Sequence, residues 1–176
     1  MVDLSSIRER ALRIKLLLMD CDGVLTDGRI WILDEGDDQK SFSTKDGLGI
    51  DLLHRAGLRT GIISGRKSSA VERRARALGM EFVKLGDNDK IAAFEQTLAE
   101  SGVAANEVAF IGDDLNDIPL LLRVGLAIAV ADAVQETRER AHYITSVNGG
   151  SGAVREVIEL ILKAQGRWSE VIKKYL

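Results

Sequence analysis

Two carboxylates, Asp20 and Asp22, stand where the apolar run Leu16-Leu17-Leu18-Met19 ends. Such a run reads as a buried strand, and in an open α/β sheet the chemistry lies outside the carboxyl ends of the strands. Side chains alternate on an extended segment, so both carboxylates fall on one side, about 7 Å apart. Like charges that close call for a cation between them, and a hard divalent ion such as Mg2+ suits oxygen ligands. Asp22-Gly23 alone is ordinary turn punctuation, so the pair gains meaning only from the rest of the chain.

Three further strand ends carry polar groups. Ile62-Ile63-Ser64-Gly65-Arg66 sets a hydroxyl, a glycine and a cation where a helix is about to begin, which suits a helix cap and equally a phosphate cradle. Lys90 opens a helix, where the helix dipole favours acids; a cation there makes sense if it faces a bound anion. Phe110-Ile111-Gly112-Asp113-Asp114-Leu115-Asn116-Asp117 sets three carboxylates after another buried strand. As a solvated loop this would be unremarkable; with Asp20 and Asp22 it points to a hard-metal site.

The elements that must position these groups alternate. A capping box at Ser6-Ile7-Arg8-Glu9 opens a first helix. Strands are expected at 60–63, 81–85, 107–111, 126–130 and 143–145, and helices at 48–56, 68–78, 89–100 and 153–165. Arg29–Leu33 and Gln39–Ser43 flank the polar Asp34–Asp38 and read as a β-hairpin. Pro119 fits the first turn of a helix. This rhythm predicts an α/β fold, a Rossmann-like three-layer sandwich around a mostly parallel sheet. At 176 residues a single domain, 1–176, is expected, ending in a helix and tail over 153–176. A net charge of −3 lacks the basic excess of a nucleic-acid binder, and no apolar run is long enough to span a bilayer. Met1–Ile14 is charged and has no apolar core, so no secretory signal is expected. The one cysteine, Cys21, reads as a small buried filler facing away from Asp20 and Asp22, and fits a reducing cytoplasm.

The order Asp-x-Asp, Ser, Lys, Asp-Asp-x-x-Asp resembles the haloacid dehalogenase superfamily of phosphoryl-transfer enzymes. Segments 20–28 and 112–117, with Gly149-Gly150-Ser151-Gly152-Ala153-Val154-Arg155-Glu156, look like the 3-deoxy-D-manno-octulosonate 8-phosphate phosphatase family, whose members lack a cap domain. The roughly 20 residues between Gly28 and Asp46 are too few for an inserted cap. The resemblance implies a Mg2+-dependent phosphomonoesterase of lipopolysaccharide precursor synthesis. Asp20 would be the nucleophile and Asp22 the general acid and base. Mg2+ would be held by Asp20, the Asp22 carbonyl and Asp113, with Asp114 and Asp117 orienting that shell. Ser64, Gly65 and Lys90 would bind the phosphoryl group. Ser43, Thr44, Lys45, Asp46 and Gly47 would lie near the sugar, and Arg66 and Arg74 near its acidic end, although Glu72-Arg73-Arg74 also fits a charged helix face. The hairpin would join copies into a homotetramer whose subunits help close one another's sites.

Some relatives carry an arginine where this chain has Asp51. Phosphatases of nine-carbon keto-acid sugar phosphates, the nearest alternative, place Glu at Arg66 and Lys at Ala77. A non-catalytic tetramerisation module of the same fold is the other alternative, against which the intact carboxylate cluster argues.

Overall fold

The computed structural model describes residues 4–32, 39–86 and 89–176. Strand β1 (Leu16–Met19) is flanked by β2 (Arg59–Ser64) and β4 (Val108–Gly112). Beyond them lie β3 (Phe82–Leu85) on one side and β5 (Leu126–Ala129) and β6 (Tyr143–Ile144) on the other. The order is β3-β2-β1-β4-β5-β6, and every pair is parallel. Strand β1 shows why its sequence is one apolar run. Leu17 and Met19 enter the core on one face of the sheet, and Leu16 and Leu18 enter the core on the other.

Helices α1 (Leu4–Arg13), α2 (Thr44–Arg55), α3 (Ser69–Ala77) and α7 (Ala153–Ala164) cover the first face, with α2 packed along α7. Helices α4 (Lys90–Ser101) and α5 (Ile118–Leu121) cover the second. The short α6 (Gln135–Arg138) and α8 (Trp168–Ile172) were not foreseen, being too brief to show a helical period. Strand order reverses between β1 and β4, which opens the ligand crevice of a doubly wound sheet at their carboxyl ends.

Two expectations need adjustment. The second helix begins at Thr44 rather than Leu48, because the Ser43 hydroxyl accepts the N–H groups of Lys45 and Asp46 and so caps a turn that reads locally as loop. The expected hairpin is represented among the described residues by one antiparallel bridge, Trp31 with Gln39, the Gln39 N–H donating to the Trp31 carbonyl at 3.1 Å. The expected turn, 34–38, and Leu33 before it lie outside the described residues. Among the described residues no cap domain stands between Gly28 and α2. Among the described residues no helix is long and apolar enough to cross a membrane.

Candidate active site

The crevice is built by extending the β1–β4 ladder one step: the Asp20 N–H donates to the Ile111 carbonyl at 3.0 Å and seats Asp20 just past the strand. The chain then folds back on itself, the Cys21 carbonyl accepting from the N–H groups of Leu25 and Thr26 at 3.0 and 3.1 Å. Cys21 is buried in the apolar core beneath the loop. Gly23 sits at φ +89°, and a Cβ there would overlap the Asp113 carboxylate. Only glycine lets the β1 and β4 loops approach this closely. The Gly149-Gly150 segment buttresses the same loop: a Cβ on Gly149 would collide with the Gly23 carbonyl, and the Gly150 N–H donates to the Val24 carbonyl at 2.8 Å.

Lys90 enters from the start of α4, where the Asp89 side chain accepts the N–H groups of Ile91 and Ala92. Its ammonium is buried, 2.6 Å from Asp117 Oδ1 and 3.2 Å from Asp20 Oδ2. The other Asp117 oxygen accepts the N–H groups of Asp113 and Asp114 at 2.9 and 3.3 Å. Fully buried Asp117 is therefore a strut that holds the lysine and folds the loop after β4. Ligand oxygens of Asp20, Asp113 and Asp117 lie within 4.8 Å of one another. Both Asp117 oxygens are engaged, whereas Asp20 Oδ1 and Asp113 Oδ1 are buried with no hydrogen-bond partner. Two unpartnered carboxyl oxygens in so tight a cluster fit a hard divalent cation, which needs both groups ionised.

The electrostatics of the metal-free cluster agree. Burial, with repulsion from Asp117, pushes the Asp20 carboxyl up to about 6, against the pull of Lys90. Burial, then Asp117, Asp20 and Asp114, pushes Asp113 up to about 8. Burial alone would lower Lys90, but Asp20 and Asp117 together outweigh it and hold its pKa above the usual value.

The remaining sequence candidates divide. Ser64 ends β2, one strand over from Asp20, buried, with Gly65 following it. Asp22 is ion-paired through Oδ1 to Lys40, and the Arg66 Nε lies 3.5 Å from its Oδ2. Arg74 donates to the Ser43 carbonyl at 3.3 Å and lies over the Phe42 ring, so it supports the start of α2. Thr44 and Lys45 are exposed there. Asp46 is buried and turned toward α7, its Oδ1 accepting the Arg155 N–H at 2.8 Å; burial raises its pKa against the pull of that bond. An acid at a helix start is favoured by the dipole, so Asp46 docks α2 on α7. Asp114 is exposed and caps the turn that follows β4. Among the described residues, Lys40 is a close partner of Asp22 absent from the sequence reading. Its single available signal is its place on the return arm of the insertion after β1.

Comparison with known proteins extends the likeness beyond the site. Residues 85–158 match the model of the haloacid dehalogenase-like hydrolase family. The 3-deoxy-D-manno-octulosonate 8-phosphate phosphatase KdsC of Yersinia pestis is 43% identical over 159 residues, 90% of this chain and 85% of its own length. A probable YrbI family phosphatase from Pseudomonas syringae superposes with a TM-score of 0.94 at 47% identity, covering 97% of both chains. The Moraxella catarrhalis 3-deoxy-D-manno-octulosonate 8-phosphate phosphatase, solved with a magnesium ion, a phosphate ion and KDO, superposes with a TM-score of 0.96 at 40% identity, covering 99% of this chain and 100% of its own. This chain belongs to the 3-deoxy-D-manno-octulosonate 8-phosphate phosphatase family of the haloacid dehalogenase-like hydrolases.

Proposed function

We propose that this protein, acting as one phosphatase domain over residues 1–176, hydrolyses 3-deoxy-D-manno-octulosonate 8-phosphate to the free sugar acid and inorganic phosphate, a step of lipopolysaccharide precursor synthesis in the cytoplasm. The observation that carries the reading is the crevice itself, where a buried lysine lies beside Asp20 and two carboxyl oxygens, one of Asp20 and one of Asp113, have no partner. Asp20 attacks phosphorus, the bond to the sugar oxygen breaks, and an aspartyl-phosphate forms; water then releases phosphate. Asp22 protonates the departing oxygen and takes a proton from the attacking water. Lys90 neutralises the transferring group, and Ser64 with the Gly65 backbone donates hydrogen bonds to it. Mg2+, bound by Asp20, the Asp22 carbonyl and Asp113, supplies charge that lets an anionic nucleophile approach an anionic phosphate. Charge neutralisation carries much of a barrier reduction on the order of 20 kcal/mol, because uncatalysed monoester hydrolysis is so slow.

The octulosonate substrate is favoured over nine-carbon sugars by Arg66 and Ala77, and by the activity for which the relatives are named. The guanidinium of Arg66, half exposed beside Asp22, can reach past the phosphate toward the sugar-acid carboxylate, which its planar fork suits. Phosphate release from a panel of sugar phosphates, with and without Mg2+, tests the assignment, and Arg66→Ala sharpens it. On the keto-acid phosphate, kcat/KM should fall by roughly 2–3 kcal/mol of transition-state stabilisation, and far less on a small neutral monoester. Equal losses on both would remove Arg66 from carboxylate recognition. No preference for the keto-acid phosphate in the wild type would remove the substrate assignment and leave a generic phosphatase.

The homotetramer is part of the same proposal. It is supported by three consecutive apolar side chains after β1, Ile30, Trp31 and Ile32, the last 89% exposed. An apolar patch of this kind needs a partner surface. Sedimentation should give a tetramer that Trp31→Asp with Ile32→Asp dissociates; a wild-type monomer at micromolar concentration refutes it.

A further inference from the structure

Lys40 lies on the arm that returns from the insertion to α2, one residue past the Trp31–Gln39 bridge. Its side chain is 1% exposed, and its ammonium ends on Oδ1 of Asp22. A lysine at a crevice mouth can ordinarily run its stem along the surface and keep its charge in water. This one is turned inward, and an ammonium is buried at tolerable cost only when it is paired. The two oxygens of Asp22 thus have unequal partners. Lys40 makes a buried contact from an arm tied down by a backbone bridge, while Arg66 makes a looser one at 3.5 Å from a half-exposed side chain.

We propose that Lys40 is a positioning residue for Asp22, fixing Oδ1 so that Oδ2 faces the departing sugar oxygen. The proposal rests on the reading of Asp22 as the general acid and base. Asp22 sits in a tight loop just before Gly23, and among the described residues Lys40 is the buried side chain that holds its carboxylate. An unheld carboxylate at the rim of a crevice exchanges among staggered rotamers, and misplacement by about 1 Å can cost on the order of 100-fold in rate. The insertion after β1 then has a task inside its own subunit: it carries a cation back to the general acid.

The test separates ester cleavage from everything that follows it, by rapid-quench measurement of leaving-group release in the first turnover of the Mg2+-loaded enzyme. The substrates are 3-deoxy-D-manno-octulosonate 8-phosphate, whose alkoxide must be protonated, and p-nitrophenyl phosphate, whose phenolate departs without a proton. Lys40→Met should slow the burst on the sugar phosphate roughly 100-fold while KM, and the burst on the aryl ester, stay within about threefold. Lys40→Arg keeps a donor to Oδ1 and should recover most of the rate. Equal falls on both esters, or a change in KM alone, would make Lys40 a packing or substrate-binding residue and overturn the proposal.

Asp22→Asn, run in parallel, keeps the two readings apart. If it leaves the sugar-phosphate burst intact, the role of Asp22 fails and takes the proposal with it. If it shows the ester-selective loss and Lys40→Met does not, only Lys40 is refuted. Melting curves and Mg2+ titrations accompany each variant. Should Lys40→Met fail to fold, Lys40→Gln carries the decision: without the charge that holds Oδ1 it must cost more on the sugar phosphate than on the aryl ester, and an equal cost refutes the role.

Discussion

Asp20→Asn should lose turnover by a factor on the order of 10⁴ or more, about 5.5 kcal/mol in barrier, while the fold survives. The amide keeps the shape of the side chain but cannot attack phosphorus, and it removes one of the two partnerless oxygens that face the crevice. Survival of the fold follows from the way Lys90 is held. Its shorter contact is to Asp117 at 2.6 Å, and that partner remains when the charge on Asp20 is gone. The substitution also removes a carboxyl whose ionisation burial opposes, so the metal-free variant should melt no lower than the wild type at pH 8. Steady-state phosphate release and a melting curve read both effects. Activity within about tenfold of wild type, only about 1.4 kcal/mol in barrier, would rule out Asp20 as the nucleophile.

The contrasting stability variant is Asp117→Ala. It strips the buried lysine of its nearest partner and leaves the Asp113 and Asp114 N–H groups without their shared acceptor. Breaking a buried pair by removing one member typically costs about 3–5 kcal/mol, so here the fold suffers along with the activity.

What the sequence reveals follows from the range of the forces involved. The sheet is legible because β1, β4 and β5 are buried on both faces and must be apolar throughout. The crevice is legible because its groups follow strand ends, and parallel strands all end on one side. Asp117 is harder to read. As a letter it is one more acid in a loop; its place between Lys90 and two backbone N–H groups depends on a contact 27 residues away. Asp46 is harder still, since its partner is the N–H of Arg155, 109 residues distant. Local reasoning starts the helix at Leu48 and leaves Asp46 outside it, because the cap that makes those residues helical is a side-chain bond from Ser43; its place near the sugar is what the resemblance implies. Lys40 is hardest of all, its one signal being its place on the return arm of the insertion after β1. Its burial comes from its contact with Asp22, 18 residues away, which neither residue type nor spacing encodes.

Mg2+ binding should tighten steeply with pH. In the metal-free protein Asp113 stands at about 8 and Asp20 at about 6, while a carboxyl must be ionised to hold a hard cation. Between about pH 6 and pH 8 the cation displaces one proton, from Asp113, so the apparent affinity should rise about tenfold per pH unit. Below about pH 6 it displaces two and the dependence steepens; above about pH 8 it levels off. The effect on stability has a definite sign. Both folded values lie above the ordinary 3.8, so in the metal-free protein the contribution of these two carboxyls is fully present below 3.8. It is lost as pH rises through about 6 and then about 8, where repulsion within the buried cluster is complete. Mg2+ offsets that repulsion, so the rise in melting temperature on adding a fixed Mg2+ concentration should be small at pH 6 and large at pH 8.5. Chelation by EDTA should abolish the rise together with the activity. Asp113→Asn has no proton to shed, so its weakened Mg2+ binding should lose the slope between pH 6 and pH 8, which ties the effect to that carboxyl. Calorimetric Mg2+ titrations that give the same affinity at pH 6 and pH 8.5 would mean the two oxygens are not where the cation binds.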